Sequence, residues 1–241
     1  MMSPARKILV AHRGAPYFFH ENTIDSFIKA VSLGADMVEF DVRRTKDGKL
    51  VVNHDPFIIH GSKEKLLSAI TFSQMQRMAE ENGYRVPVLE DVLSILSGKV
   101  KLVIELKEES CEQEVLELVS GSAGFSSCIF ISFKPSVISA LKKIDSGLTT
   151  GFLFDDIQQA DPAIPADILC PRDNTFTEYH DFFESQKLSG RMTAVWTVDD
   201  SISIKNFLND PAVDIIITNQ IDKAIKLRDI HREILCEGEK A

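Results

Sequence analysis

Eight short runs rich in Val, Ile and Phe punctuate this chain, at residues 8–11, 36–42, 101–106, 128–132, 149–154, 167–170, 192–198 and 213–218. Most lack the polar–apolar alternation of a strand with one wet face, so they read as strands covered by helices. Amphipathic segments lie between them. Ile24, Phe27, Ile28 and Val31 fall at i, i+3, i+4, i+7, and Leu89, Val92, Leu93 and Leu96 repeat the pattern. Val115, Leu118 and Val119 begin another, as do Val137, Leu141 and Ile144. Eight strands, most followed by helices, in 241 residues have the size of an α/β fold of the (β/α)8 TIM barrel type. An open doubly wound sheet is the alternative. The length suits one domain spanning 1–241, and 44% hydrophobic residues with 15 Phe can fill its core.

One interval breaks the alternation. After the second strand come Thr45-Lys46-Asp47-Gly48-Lys49 and then Leu50 to Asn53. Asp-Gly between β-like runs signals a hairpin, so 50–54 reads as a strand returning beside the second. Residues 56–87 then form a small insertion, long enough to require a helix of its own near Ser73 to Glu81, which could cover the barrel mouth. The charged stretch after Arg228 reads as a last helix fraying into solvent.

Charge and composition exclude several function classes. Asp plus Glu number 36 against 27 Lys plus Arg, a net charge of −9, which argues against a nucleic-acid partner. A phosphate-bearing substrate would need local compensation by a metal or by clustered Arg and Lys. No run approaches the roughly 18 apolar residues of a membrane span. Ile8 to Ala11 is too short for a signal-peptide core, so a cytoplasmic location is expected. Cys111, Cys128, Cys170 and Cys236 have no CxxC spacing and read as reduced thiols. Monomer and homodimer both stay open.

The chemistry-bearing residues sit at strand ends. His12-Arg13-Gly14 follows the first strand at its C-terminal end, the edge on which barrels build active sites. A histidine and an arginine there supply a proton carrier and an anion clamp; a surface loop is the plainer reading. In Val38-Glu39-Phe40-Asp41-Val42, alternation puts Glu39 and Asp41 on one face and the apolar residues on the other. With the apolar face against helices, the carboxylates point into the barrel, where they repel unless neutralised. Val103-Ile104-Glu105-Leu106-Lys107 likewise turns Glu105 and Lys107 inward. Hard oxygen ligands of this kind suit Mg2+ or Ca2+; an ion-pair network with Arg13 or Lys107 is the structural alternative. The returning strand ends in Asn53-His54-Asp55-Pro56, which brings His54 toward the edge that carries His12. Two histidines there can divide proton acceptance and donation, and Asp55 could orient an imidazole. Tyr17, Phe18 and Phe19 read as a pocket wall, a lipid-facing patch or core. His20, His60, His180 and His231 lack chemical context and read as surface residues.

In order and spacing, a set of short segments covering nearly the whole chain resembles the glycerophosphodiester phosphodiesterase family. They are His12-Arg13-Gly14, Glu21-Asn22-Thr23, Glu39-x-Asp41, His54-Asp55, Val88 to Leu93, Glu105-Leu106-Lys107, Ile131-Ser132-Phe133, Val195-Trp196-Thr197-Val198 and Asp214 to Thr218. The resemblance implies hydrolysis of a small-molecule glycerophosphodiester to glycerol 3-phosphate and an alcohol. It implies one divalent cation, Mg2+ or Ca2+, on Glu39, Asp41 and Glu105, and His12 and His54 as the acid/base pair. Arg13 and Lys107 would contact phosphate, Glu21 and Asn22 would line or brace the pocket, and Trp196 would pack near the glycerol. The chain departs from the family pattern in its short 56–87 segment, in Asn219 where aspartate is usual, and in Cys170 to Asn174, to which no role is assigned. Lysophospholipid hydrolysis and a non-catalytic phosphate-binding barrel are the competing readings.

Overall fold

The computed structural model describes residues 6–238, with side chains through residue 230. Met1 to Ala5 and the side chains of His231 and Cys236 therefore lie outside the described residues. Eight parallel strands form the frame: β1 (Ile8–Ala11), β2 (Met37–Arg44), β6 (Lys101–Leu106), β7 (Cys128–Ser132), β8 (Thr150–Phe154), β9 (Ile168–Pro171), β10 (Met192–Val195) and β11 (Ile215–Thr218). Their order runs β1-β11-β10-β9-β8-β7-β6-β2 and returns to β1. Ile8 pairs with Ile215 on one side of β1, and Val10 with Met37 on the other. That closure makes a barrel and excludes the open sheet.

Two cores explain why these runs form strands. Val10, Met37, Val103, Ile131, Ile168 and Ile215 belong to the cluster filling the barrel, the packed interior such barrels require. Leu9, Val38, Phe40, Val42, Ile104 and Phe130 face outward and pack under the helices. The helices include α1 (Ile24–Leu33), α3 (Leu89–Leu96), α4 (Glu112–Ser120), α5 (Pro135–Ile144), α6 (Asp173–Glu178), α7 (His180–Leu188) and α8 (Ser201–Asn209). Their ends follow local chemistry. Thr23 Oγ1 accepts from the Ser26 N–H at 3.3 Å to start α1. Gly34, at φ 92°, closes it in the left-handed conformation.

The hairpin strand β3 (Leu50–Val52) lies antiparallel to β2, with Val52 opposite Val42 and Leu50 opposite Arg44. The insertion contains α2 (Phe72–Glu81), close to the expected helix and started by a Thr71–Gln74 capping box. It also contains an unanticipated hairpin, β4 (Phe57–His60) with β5 (Lys63–Leu66). Val51, Ile58, Leu67, Met75, Ala79 and Val86 give the insertion its own small core. Phe72-to-Glu81 is thus held by packing, not by helix propensity alone. The last helix, α9 (Ile221–Gly238), runs through the charged C-terminal stretch. Among the described residues no helix is long and apolar enough to cross a membrane.

Candidate active site

His12, Arg13 and Gly14 leave β1 at the C-terminal mouth of the barrel. Arg13 sits at φ 53°, an uncommon conformation for a residue with a Cβ. This turns its N–H onto Glu39 Oε2 at 2.9 Å. Gly14 is at φ 88°, and a Cβ there would lie 2.4 Å from Ser26 Oγ, so only glycine fits. The same Ser26 hydroxyl accepts from Ala15 N–H at 2.7 Å and donates to the Arg13 carbonyl at 3.0 Å. The loop is thereby pinned to α1.

Glu39, Asp41 and Glu105 each offer an oxygen within 4.8 Å of the others, and all three are buried. Register accounts for this: Asp41 pairs with Glu105 across β2 and β6, and Glu39 lies two residues below Asp41 on the same face. Two cations approach them. Lys107 Nζ lies 2.9 Å from Asp41 Oδ1 and 2.6 Å from Glu105 Oε1. Arg13 Nε lies 3.3 Å from Asp41 Oδ2, while its Nη1 donates to Glu21 Oε1 at 2.9 Å. Asn22 Nδ2 donates to Asp41 Oδ2 at 2.7 Å. The ion-pair network anticipated from sequence is therefore present, yet it does not balance the charge. Glu39 Oε1 is buried with no hydrogen-bond partner among the described residues.

The electrostatics expose the imbalance. Burial, with Asp41 and Glu105 adding repulsion, holds the Glu39 carboxyl well above the ordinary range. Burial and Asp41 push Glu105 up to about 7. Burial works against Asp41 too, but Lys107 and Arg13 overcome it and hold that carboxyl below the usual range. An orphaned buried oxygen in an all-carboxylate cluster fits a hard divalent cation, which would let all three ionise.

The two histidines flank this cluster in different settings. His12 Nδ1 is 2.8 Å from Asn219 Oδ1. Asn219 Nδ2 donates to Asp199 Oδ2 at 2.7 Å, which fixes the amide with its oxygen toward the imidazole. His12 therefore donates from Nδ1 and keeps its lone pair on Nε2, 4.0 Å from Glu39 Oε2. Burial and the Arg13 charge lower its pKa to about 4. His54 follows β3 and sets Nδ1 2.8 Å from Asp55 Oδ1. Its carbonyl accepts from Arg43 Nε at 2.6 Å, holding the turn. Burial lowers the His54 pKa, helped by Lys107 and Arg13 and opposed by Asp41.

A cavity of about 300 Å3 connects His12, Arg13, Glu39, His54, Glu105 and Lys107 to an opposite wall that includes Trp196. Trp196 Nε1 donates to the Cys170 carbonyl at 2.7 Å, and Phe133 meets the indole edge-on at 5.3 Å. Asp155 and Arg172, on the same wall, had no assignment from sequence. Neither had Asn219 or Asp199; a polar residue just past a barrel strand was the available signal. Among the residues expected on the surface, His60 pairs with Glu81, His180 with Asp210, and His20 stacks on Tyr84 at 3.7 Å. Tyr17, Phe18 and Phe19 are exposed, which removes core packing from their readings. Cys111, Cys128 and Cys170 are buried free thiols.

A closed (β/α)8 barrel with carboxylates, two histidines, Arg and Lys converging at its mouth has the form of a barrel phosphodiesterase. The chain belongs to the glycerophosphoryl diester phosphodiesterase family, whose match spans residues 12–223. It is 27% identical over 238 residues to a glycerophosphodiester phosphodiesterase of Caldanaerobacter subterraneus subsp. tengcongensis, covering 92% of this chain and 98% of that one. The crystal structure of glycerophosphodiester phosphodiesterase from Thermotoga maritima superposes with a TM-score of 0.79 at 27% identity, covering 92% and 98%. An Oleispira antarctica phosphodiesterase, in complex with the product sn-glycerol-3-phosphate, shares the fold at a TM-score of 0.80 and 20% identity, covering 93% and 97%.

Proposed function

We propose that this chain is a metal-dependent hydrolase of glycerophosphodiesters, releasing sn-glycerol 3-phosphate and an alcohol. Glu39, Asp41 and Glu105 hold one divalent cation, Mg2+ or Ca2+, and His12 and His54 exchange protons with the reacting oxygens. The observation that carries this reading is the buried carboxylate trio, of which Glu39 and Glu105 line the same cavity as His12 and His54. Family membership and the product held by the Oleispira relative support the reaction class.

The bound cation would polarise the phosphoryl group and offset its charge. Arg13 and Lys107 present their remaining N–H donors to the phosphate oxygens. Both are already fixed by Asp41, so little reorganisation is needed on binding. Asn22 and Glu21 brace Asp41 and Arg13 respectively. Neutral His12, with its Nε2 lone pair facing the cluster, is set to take a proton from the attacking oxygen, which is either that of water or that of the substrate's own free hydroxyl, whose cyclic phosphate water then opens. His54 beside the Asp55 carboxylate is set to hand one to the departing oxygen. Trp196 forms the apolar wall against the glycerol. The whole chain acts as one barrel domain, with the 56–87 insertion shaping the entrance.

Lysophospholipids are the second reading, favoured by the exposed Tyr17, Phe18 and Phe19 beside the β1–α1 loop. The test is release of sn-glycerol 3-phosphate from glycerophosphocholine, with EDTA and then with Mg2+ or Ca2+ restored. Release that EDTA stops and a cation restores is the expected result. Release that EDTA leaves untouched would remove the metal, and activity on lysophospholipids alone would favour the second reading.

A further inference from the structure

One charged pair in the cavity wall is not used by the reaction described above. Asp155 directly follows β8 and Arg172 directly follows β9, so both stand at the barrel mouth. Arg172 Nε lies 3.1 Å from Asp155 Oδ1, and its guanidinium lies over the Trp196 ring at 5.2 Å from the centroid. The backbone that carries the pair is fixed. The Arg172 N–H donates to the Phe154 carbonyl at 3.1 Å, and the Thr175 hydroxyl donates to the Asp155 carbonyl. Trp196 is tied in by its own N–H to Pro171 O at 3.2 Å.

With Nε and Oδ1 engaged, the pair keeps two free kinds of group at the cavity. Among the described residues no other side chain salt-bridges the Arg172 Nη donors or the Asp155 Oδ2 acceptor. Its charges cancel, so it selects neither an anion nor a cation. A quaternary ammonium gains little here: the Trp196 face is covered by Arg172, and Lys107 stands 5.9 Å from the Phe133 ring. Adjacent donors and an acceptor suit adjacent hydroxyls, each of which both donates and accepts. The aromatic edge formed by Phe133 and Trp196 suits the carbon skeleton between them.

We infer that Asp155 and Arg172 grip the vicinal diol of the glyceryl end of the substrate, an inference that rests on the glycerophosphodiester reading. A second groove of about 550 Å3, lined by Glu21, Asn53, Asp55, Phe57 and Tyr84, meets the catalytic cavity at His54. A diester spanning the carboxylate cluster thus has two directions in which to extend. The glyceryl group, common to every substrate, takes the smaller cavity against Trp196. The variable alcohol leaves past His54 into the larger groove. Asp155 and Arg172 are then substrate-binding residues that set specificity for the glyceryl half and not for the head group.

The experiment compares three diesters on the metal-supplemented protein. They are glycerophosphocholine, its sn-1-deoxy analogue (the same diester of propane-1,2-diol) and bis(4-nitrophenyl) phosphate. The deoxy analogue keeps the 2-hydroxyl, so an internal attack by that group stays available. R172A and D155A should each lower kcat/KM for glycerophosphocholine roughly tenfold or more, mainly through KM, as loss of hydrogen bonds to charged partners does. The parent should disfavour the deoxy analogue by a similar factor, and R172A should no longer distinguish the two. R172K, which keeps the charge and loses the fork, should behave like R172A. The nitrophenyl diester has no hydroxyl for the pair to hold, so every variant should lose clearly less on it than on glycerophosphocholine. Equal losses on all three diesters, or an undiminished preference for the full diol in R172A and R172K, would overturn the diol grip alone. Hydrolysis of the nitrophenyl diester by the parent with none of glycerophosphocholine would overturn the glycerophosphodiester reading together with it.

Discussion

On the side of the mouth built by β1, β2, β3 and β6, the carboxylates and cations are paired with one another. Asp41 meets both Lys107 and Arg13, Lys107 also meets Glu105, and Glu21 holds Arg13 from behind. Across the cavity the wall is anchored differently. Trp196 is hydrogen-bonded to the Cys170 carbonyl, and Arg172 stands half-exposed over the indole. The first side is a buried, interdependent charge cluster that can tune proton and metal affinity. The second is a half-exposed set, the Asp155–Arg172 pair laid over Trp196, that can change with substrate at little cost to the fold. Chemistry and selectivity are thus carried by different physical means, and substitutions on the two sides should not behave alike.

The largest effects belong to the charged side. E39Q and D41N keep shape and remove one ligand charge each. Either should cut glycerophosphodiester hydrolysis by at least about a thousandfold, the order expected when a preorganised electrostatic group is lost. Both variants should also lose the thermal stabilisation that Mg2+ or Ca2+ gives the parent. Wild-type activity in either would remove these residues from the metal site. H12A and H54A come next, at about 10²–10⁴-fold on kcat. Unlike the carboxylate variants, they should still be stabilised by the cation, because neither histidine belongs to the carboxylate cluster proposed to hold it. Loss of metal binding in H12A would merge the two groups of residues and break the distinction.

How much of this could be read in the chain depends on distance along it. Glu39 and Asp41 were legible because a strand alternates faces and Val38, Phe40 and Val42 declare which face meets the helices. The same rule placed Glu105 and Lys107. The β4–β5 hairpin was missed because its second strand, Lys63-Glu64-Lys65-Leu66, has a solvated composition; only Gly61-Ser62 marked the turn. The Asn219 contact with His12 spans 207 positions and left only a departure from the usual aspartate as its trace. The Asp155–Arg172 pair comes from two neighbouring strand ends, which the parallel pairing of β8 with β9 brings together, Phe154 beside Pro171.

Asn219 tests whether His12 belongs fully to the charged side. It reaches His12 with a neutral amide oxygen and passes the link to Asp199 through its own N–H groups at 2.8 and 2.7 Å. N219A frees the imidazole to choose its tautomer and should cost roughly tenfold in kcat, less than removing the ring itself. N219D replaces the amide by a carboxylate facing Asp199, so it should raise the affinity of His12 for a proton and move the acidic limb of the kcat/KM profile to higher pH. An unchanged profile in N219D would show that Asn219 does not govern the His12 proton.

The smallest effect, a shift in melting temperature, discriminates best between a metal site and a self-sufficient ion-pair network. In the metal-free protein, Glu105 titrates near 7 and Glu39 also lies above the ordinary carboxylate range, both chiefly through burial. The unfolded chain releases these protons near pH 4.3, the folded chain later. Between those values the unfolded state binds fewer protons, so this part of stability is present at low pH and declines as pH rises toward 7. His12 has the opposite sign. Its folded pKa of about 4 lies below the free value, so its contribution grows as pH rises to about 6.5. Comparing melts with and without cation at each pH removes most of the His12 part, because the imidazole is neutral in both folded forms above its folded pKa. A cation must displace the protons on Glu39 and Glu105. Its stabilisation should therefore be small at pH 5 and reach roughly 5–10 °C at pH 8 with cation at about a hundred times its dissociation constant. A shift equal at both pH values would mean that no proton leaves the trio on binding, and the cation would then sit elsewhere.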